Sequence, residues 1–215
     1  MKIYTFGCSW TYGCKGWNYN VASWVEKLAE KYPNNEVIDF SYPGTSLECS
    51  LFHFEKVLKE KEEKDKTVFQ FTTPFRYTAW PDEVFNSPKL RYKKTKNYTK
   101  FIPELKDKID RYHPSADNAG NGINKDMKFH KIFYRKHNKE LELSKFDALA
   151  TYIHSKSDYA FFQRRDYPVA THVPAINTII GEDAYQSYVW DQGQHFDDAG
   201  CDWQASYIAK EIGLS

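Results

Sequence analysis

No stretch of the 215-residue chain stays apolar for the roughly 18 residues that a membrane span needs. The amino terminus has no apolar signal-peptide core either, because Met1-Lys-Ile-Tyr-Thr already reads as strand. Together these absences predict a soluble, cytoplasmic protein with no membrane contact. Cysteine is scarce, and Cys8, Cys14, Cys49 and Cys201 include no Cys-x-x-Cys pair. A zinc site needs tighter, paired spacing, so the reading is four reduced thiols and no metal or organic cofactor. Excess charge of either sign is also missing: 30 Lys and Arg face 29 Asp and Glu. That balance gives no global drive toward nucleic acid or an anionic surface, and no nucleic-acid partner is expected. No internal repeat and no low-complexity segment is present.

Aromatic residues are abundant, with 16 Tyr, 15 Phe and 6 Trp. Much of this must fill a core, and Tyr or Trp left at a cleft suits stacking on sugars or other flat ligands. The length fits one domain with a sizeable core over residues 1–215.

Taken in order, Lys2 to Phe6 reads as a first strand. Trp17, Val21, Trp24, Val25, Leu28 and Tyr32 recur at three- and four-residue spacing, which predicts a helix from about Asn18 to Lys31. Glu36 to Phe40 is a second strand, about Leu47 to Lys64 a second helix, and Thr67 to Thr72 a third strand of buried type. The alternation predicts a parallel sheet wound with helices. Regularity is lost from about 77 to 124, which reads as an irregular insertion with short helices of its own. It carries five Lys/Arg within Lys89 to Lys96, read as a solvated loop, with an acidic-glycan or nucleic-acid contact as the alternative. Helix is expected over about 125–155 in two pieces meeting near Asn138, a fourth strand over Asp158 to Gln163, and a last helix from about Ala199 to Ile212.

Turns that leave parallel strands at their carboxyl ends share one edge of the sheet. Ser9, Gly44, Thr72 and Thr73 sit on such turns, and His195 precedes the last helix with Asp191 just before it. A hydroxyl, a histidine, a carboxylate and glycine-containing turns are the parts of an acyl-transfer site. Ser9 as a simple helix cap, His195 as an ordinary polar residue and Pro43-Gly44 as a common turn pair are the structural alternatives. Cys8 as nucleophile in place of Ser9 would need a lowered thiol pKa. Asp197 and Asp198 read as helix amino-terminal residues favoured by the dipole, and the other six histidines have no comparable setting. A phosphate-binding reading fails for want of a Gly-x-x-x-x-Gly-Lys cradle.

Three segments resemble the SGNH (GDSL-type) hydrolases: Gly7-Cys-Ser-Trp-Thr-Tyr-Gly13, Ser41-Tyr-Pro-Gly-Thr-Ser46, and Asp191-Gln-Gly-Gln-His-Phe-Asp-Asp-Ala-Gly200. They occur in the family's order and cover the sheet core. The resemblance implies a flavodoxin-like three-layer α/β/α sandwich with about five parallel strands. It implies Ser9 as nucleophile, His195 as base and the backbone amides of Ser9 and Gly44 as oxyanion donors; Asp191, one residue beyond the family's acid position, serves as the acid if the chain bulges at Gly193, and otherwise the site is a Ser9–His195 dyad with Asp191 only capping local structure. The implied activity is ester hydrolysis on a small-molecule or glycan ester, carbohydrate O-acetyl groups among them. The chain departs from the family at three places. Cys8 replaces the Asp before the nucleophile. Phe71-Thr-Thr-Pro-Phe-Arg76 lacks the family's oxyanion Asn, which leaves Thr72, Thr73 or Arg76 as donor. Gln192 stands three residues before His195, where the family has its acid. Trp10 and Arg76 are expected at the substrate. The rival reading is a catalytically impaired SGNH-like protein that binds glycan or protein.

Overall fold

The structure, a computed structural model, describes residues 1–12, 22–41, 46–72, 77–79, 91–94, 97–102, 110–112, 139–162 and 196–214. The first strand, β1 (Lys2–Phe6), runs into a four-residue helix, α1 (Ser9–Tyr12). Next comes α2 (Trp24–Lys31), within the helix expected from about Asn18 to Lys31, of which residues 18–21 lie outside the described residues. It begins at a capping box: the Ser23 hydroxyl accepts from the Glu26 N–H, and the Glu26 carboxylate accepts from the Ser23 N–H. Then follow β2 (Glu36–Asp39), α3 (Leu47–Glu60) and β3 (Lys66–Gln70). The helix α3 stops short of Lys64 because the Asp65 carboxylate takes the Glu62 N–H (3.1 Å) into a turn.

The span expected to be irregular holds short strands: β4 (Tyr77–Ala79), β5 (Arg91–Lys94), β6 (Tyr98–Ile102) and β7 (Asp110–Tyr112). No helix is assigned among its described residues. β4 and β7 pair with each other antiparallel, whereas β6 lies parallel to β2 in the main sheet. Half the basic cluster becomes β5, antiparallel to β6 at the end of the sheet. Lysines on an edge strand are a common device against edge-to-edge pairing. The chain closes with α4 (Lys139–Lys156), β8 (Tyr159–Phe161) and α5 (Asp198–Glu211). Residues 125–138, expected to be helical, lie outside the described residues.

The sheet order is β5-β6-β2-β1-β3-β8, all parallel except β5. The first crossover moves to β2 on one side of β1, and the second returns across it to β3 on the other. Right-handed crossovers of opposite sense place their helices on opposite faces. Accordingly, α2 and α5 cover one face, where Trp24, Leu28, Ala205 and Ile208 meet Ile3, Val37 and Val68. The helices α3 and α4 cover the other, where Phe54, Phe146 and Ile153 meet Phe6, Phe69 and Phe71. This is the three-layer α/β/α sandwich expected, with five parallel strands and one antiparallel edge.

At the amino edge of the sheet, two carboxylates tie strand ends together. Asp65 accepts the Lys2 N–H (2.8 Å). Asp158 accepts the Thr67 N–H (2.9 Å) and hydroxyl (3.0 Å) and pairs with Lys61 and Lys66. Burial alone would raise the Asp158 pKa, but the Thr67 N–H, Lys61 and the Thr67 hydroxyl outweigh it and lower it.

On the α3 face, His53 stacks on Phe40 (centroids 5.4 Å apart, planes at 25°) with Phe52 edge-on. Burial, aided by Lys56, pushes the imidazole pKa from 6.5 down to about 4. The folded protein therefore holds His53 neutral where the unfolded chain would protonate it. Its contribution is fully present above pH 6.5 and is lost as the pH falls toward 4. At 1.36 kcal/mol per pKa unit, that loss is roughly 3 kcal/mol. Urea unfolding at pH 7 and pH 4 is expected to show that much more acid destabilisation in wild type than in His53→Phe. Equal losses would count against it.

Candidate active site

The residues at the carboxyl edge follow from how β1 ends. Gly7 has φ 157°, a region essentially reserved for glycine. A Cβ built there would lie 2.0 Å from the Thr11 Oγ1 and 3.2 Å from the Gln70 Cβ. The chain then turns into α1, closed by the Thr11 and Tyr12 N–H groups donating to the Cys8 carbonyl (3.1 and 2.9 Å). Ser9 heads this turn and is half-buried. It stands where the chain changes direction across the sheet, since β1 has β2 on one side and β3 on the other. In open parallel sheets that switch point is where a crevice opens at the carboxyl ends of the strands.

Cys8 is buried at 1% exposure, which removes its sulfur from contact with a substrate and disfavours it as nucleophile. Trp10, expected at the substrate, is 8% exposed, so little of its ring is available to a ligand. Thr72 follows β3, and its hydroxyl is buried without a hydrogen-bond partner among the described residues. The hydroxyl of Ser41, on the turn after β2, is in the same state. The two hydroxyls lie on the strand exits that flank β1, one on each side. Gly44, Thr73, Arg76, Asp191 and His195 lie outside the described residues. Asp197 has the expected helix role: its carboxylate accepts the Gly200 N–H (2.7 Å) as the cap of α5. Asp198 pairs with Lys27 of α2 (2.9 Å).

Beneath the edge, on the α2 side, lies a polar layer that the sequence reading did not single out. Asp39, fully buried, accepts the Thr5 hydroxyl (3.1 Å), the Ser41 N–H (2.9 Å) and the Tyr98 hydroxyl (3.1 Å). Three donors converging on one carboxyl suit its ionised form. Burial first, and then the Asp39 charge, raise the Tyr98 phenol well above its ordinary value, so Tyr98 stays a donor. Gln70, also fully buried, accepts on its Oε1 the Thr11 hydroxyl (2.6 Å) and the Trp24 indole N–H (3.1 Å). The available signal was a single polar residue inside each apolar run, Val-Ile-Asp-Phe and Val-Phe-Gln-Phe, because a buried polar side chain is the informative exception in a strand. A hydrogen bond to a charged partner contributes about 1.5–3 kcal/mol, so Tyr98→Phe is expected to lose roughly 2 kcal/mol in denaturant unfolding. An unchanged midpoint would show that Asp39 does not depend on β6.

No protein-family model matches the sequence, and no curated protein does. Among solved structures, the chain is similar to the psychrotrophic esterase EstA from Pseudoalteromonas sp. at 9% identity and a TM-score of 0.47, covering 99% of this chain and 96% of that one. It is similar to Axe2, an acetylxylan esterase from Geobacillus stearothermophilus, at 12% identity and a TM-score of 0.45, covering 100% and 94%. It is similar to LAE5, an alpha/beta hydrolase from the metagenome of Lake Arreo, at 11% identity and a TM-score of 0.46, covering 99% and 95%. Each likeness is distant, and the chemistry of this site rests on its own residues.

Proposed function

We propose that the protein is a serine ester hydrolase of the SGNH type, acting on a small-molecule or glycan ester, with carbohydrate O-acetyl groups as the preferred class. The observation that carries this reading is the place of Ser9: a half-buried serine heading the turn at the switch point of the parallel sheet. In the reaction, the Ser9 Oγ attacks the ester carbonyl carbon while His195 takes the hydroxyl proton, with Asp191 orienting the imidazole. The backbone amides of Ser9 and Gly44, with Thr72 or Thr73 as third donor, hold the oxyanion. The carbon–oxygen bond to the alcohol breaks, and His195 returns its proton to that leaving oxygen. Water, deprotonated by His195, then attacks the acyl-enzyme, releasing the acid and restoring Ser9. Arg76 and the rim of Trp10 are assigned to the substrate.

The test is covalent labelling with a fluorophosphonate probe, which reports an activated serine. Labelling of wild type that is lost in both Ser9→Ala and His195→Ala is the expected result. A wild type that the probe leaves untouched would favour the rival, an SGNH-like fold kept for glycan or protein binding. The enclosure of the Thr72 hydroxyl and the loss of the family's Asp at Cys8 are the observations on that side.

A further inference from the structure

We propose that Gln70 is a positioning residue for the Ser9 nucleophile, acting through the Thr11 hydroxyl; this rests on the serine-hydrolase reading. The geometry has three parts. Ser9 and Thr11 belong to the same single turn, α1, which is too short to hold its shape by its own hydrogen bonds. Something outside the helix must fix it. The Thr11 hydroxyl donates at 2.6 Å to the Gln70 Oε1, both residues being fully buried. Gln70 is the last residue of β3, next to β1 in the sheet, so the contact ties the turn to a rigid element.

The same Gln70 oxygen accepts the indole N–H of Trp24 at 3.1 Å, and Trp24 is the first residue of α2 and fully buried. One acceptor thus fixes α1 against both the sheet and the neighbouring helix. The third part is Gly7. The Thr11 hydroxyl lies where a Cβ on Gly7 would sit, only 2.0 Å from that point. The missing side chain makes room for this hydroxyl to reach Gln70. Glycine at 7, threonine at 11 and glutamine at 70 form one packed unit directly under the residue that would attack the substrate. Trp10 and Cys8, which flank Ser9, are buried as well, so the turn has few ways to shift once Thr11 is held.

Thr11→Val removes the hydroxyl at nearly constant shape, and Thr11→Ser restores it. A nucleophile displaced by about 1 Å loses on the order of 100-fold in rate. For Thr11→Val we expect fluorophosphonate labelling slowed by about 10- to 100-fold, and a matching fall in kcat on p-nitrophenyl acetate with KM changed less than about twofold. Thr11→Ser should recover most of the rate. Hydrogen exchange of the Thr11 and Tyr12 amides, which needs no chemistry, should quicken in Thr11→Val relative to amides of β3. Gln70→Leu should reproduce the Thr11→Val pattern if it folds. A labelled wild type with Thr11→Val reacting at the same rate overturns the positioning role alone. So does a slowed Thr11→Val that Thr11→Ser fails to rescue. An unlabelled wild type overturns the serine reading, and the nucleophile-positioning role with it.

Discussion

Ser9→Ala is expected to hydrolyse p-nitrophenyl acetate at least about 1000-fold more slowly than wild type, since a nucleophile and its base act as a unit and loss of either removes the covalent route. Two features make the measurement decisive. Cys8 precedes Ser9 and is chemically the stronger nucleophile, yet it is 1% exposed. Cys8→Ala should therefore keep activity within a few-fold of wild type, provided the protein stays folded. The reverse pattern, with activity lost in Cys8→Ala and kept in Ser9→Ala, would move the chemistry to the thiolate. Ser9 is also half-buried at the head of a single turn, so the unfolding transition of Ser9→Ala, measured beside its rate, separates a catalytic loss from a structural one. A rate loss in Ser9→Ala without a stability loss would place the hydroxyl in the reaction and not in the architecture.

Gly7→Ala should have the largest effect on stability. Two independent costs coincide there. The backbone at φ 157° is strained for any residue with a side chain, at about 1–3 kcal/mol. The added methyl would also meet the Thr11 Oγ1 at 2.0 Å, and that side chain is fully enclosed and committed to Gln70. We expect a combined loss of about 3–5 kcal/mol, or roughly 10 °C in Tm for a chain of this size. The control is Gly213, at φ 75° with nothing within 4 Å of its built Cβ. There only the left-handed backbone is penalised, so Gly213→Ala should lose about 1–2 kcal/mol. Similar losses at the two positions would mean that the Thr11 contact is easily relieved.

The layers of the fold were legible because they follow from periodicity. Alternation of strand and helix up to Gln70 predicts the parallel sheet, and Trp24, Val25 and Leu28 mark the buried face of α2. The strand β6 was not legible. Tyr98 to Ile102 lies among lysines and prolines that read as loop, and it becomes a strand only because β2 offers it a ladder and Asp39 holds its tyrosine. Tertiary pairing of this kind overrides local composition. At the site, Ser9 was legible from a strand ending at a small residue. The supports beneath it, Gln70 and Asp39, were not, because a polar residue in an apolar run does not announce its partner. Thr11 lies 59 residues from Gln70, and Thr5 lies 34 from Asp39.

The two faces of the sheet also differ in when they can be finished. Among the described residues, the α3–α4 core draws on Tyr4 to Phe162. The α2–α5 core joins Ile3 to Ile208, Ile212 and Leu214, about 200 residues further along the sequence. During synthesis, the apolar side of α2, with Trp24, Val25 and Leu28, must wait for the final helix to leave the ribosome. Until then the growing chain presents a sheet whose α2 side is only part-covered, with Ile3, Val37 and Val68 lacking their α5 partners, the form in which a nascent protein most needs shelter from its neighbours.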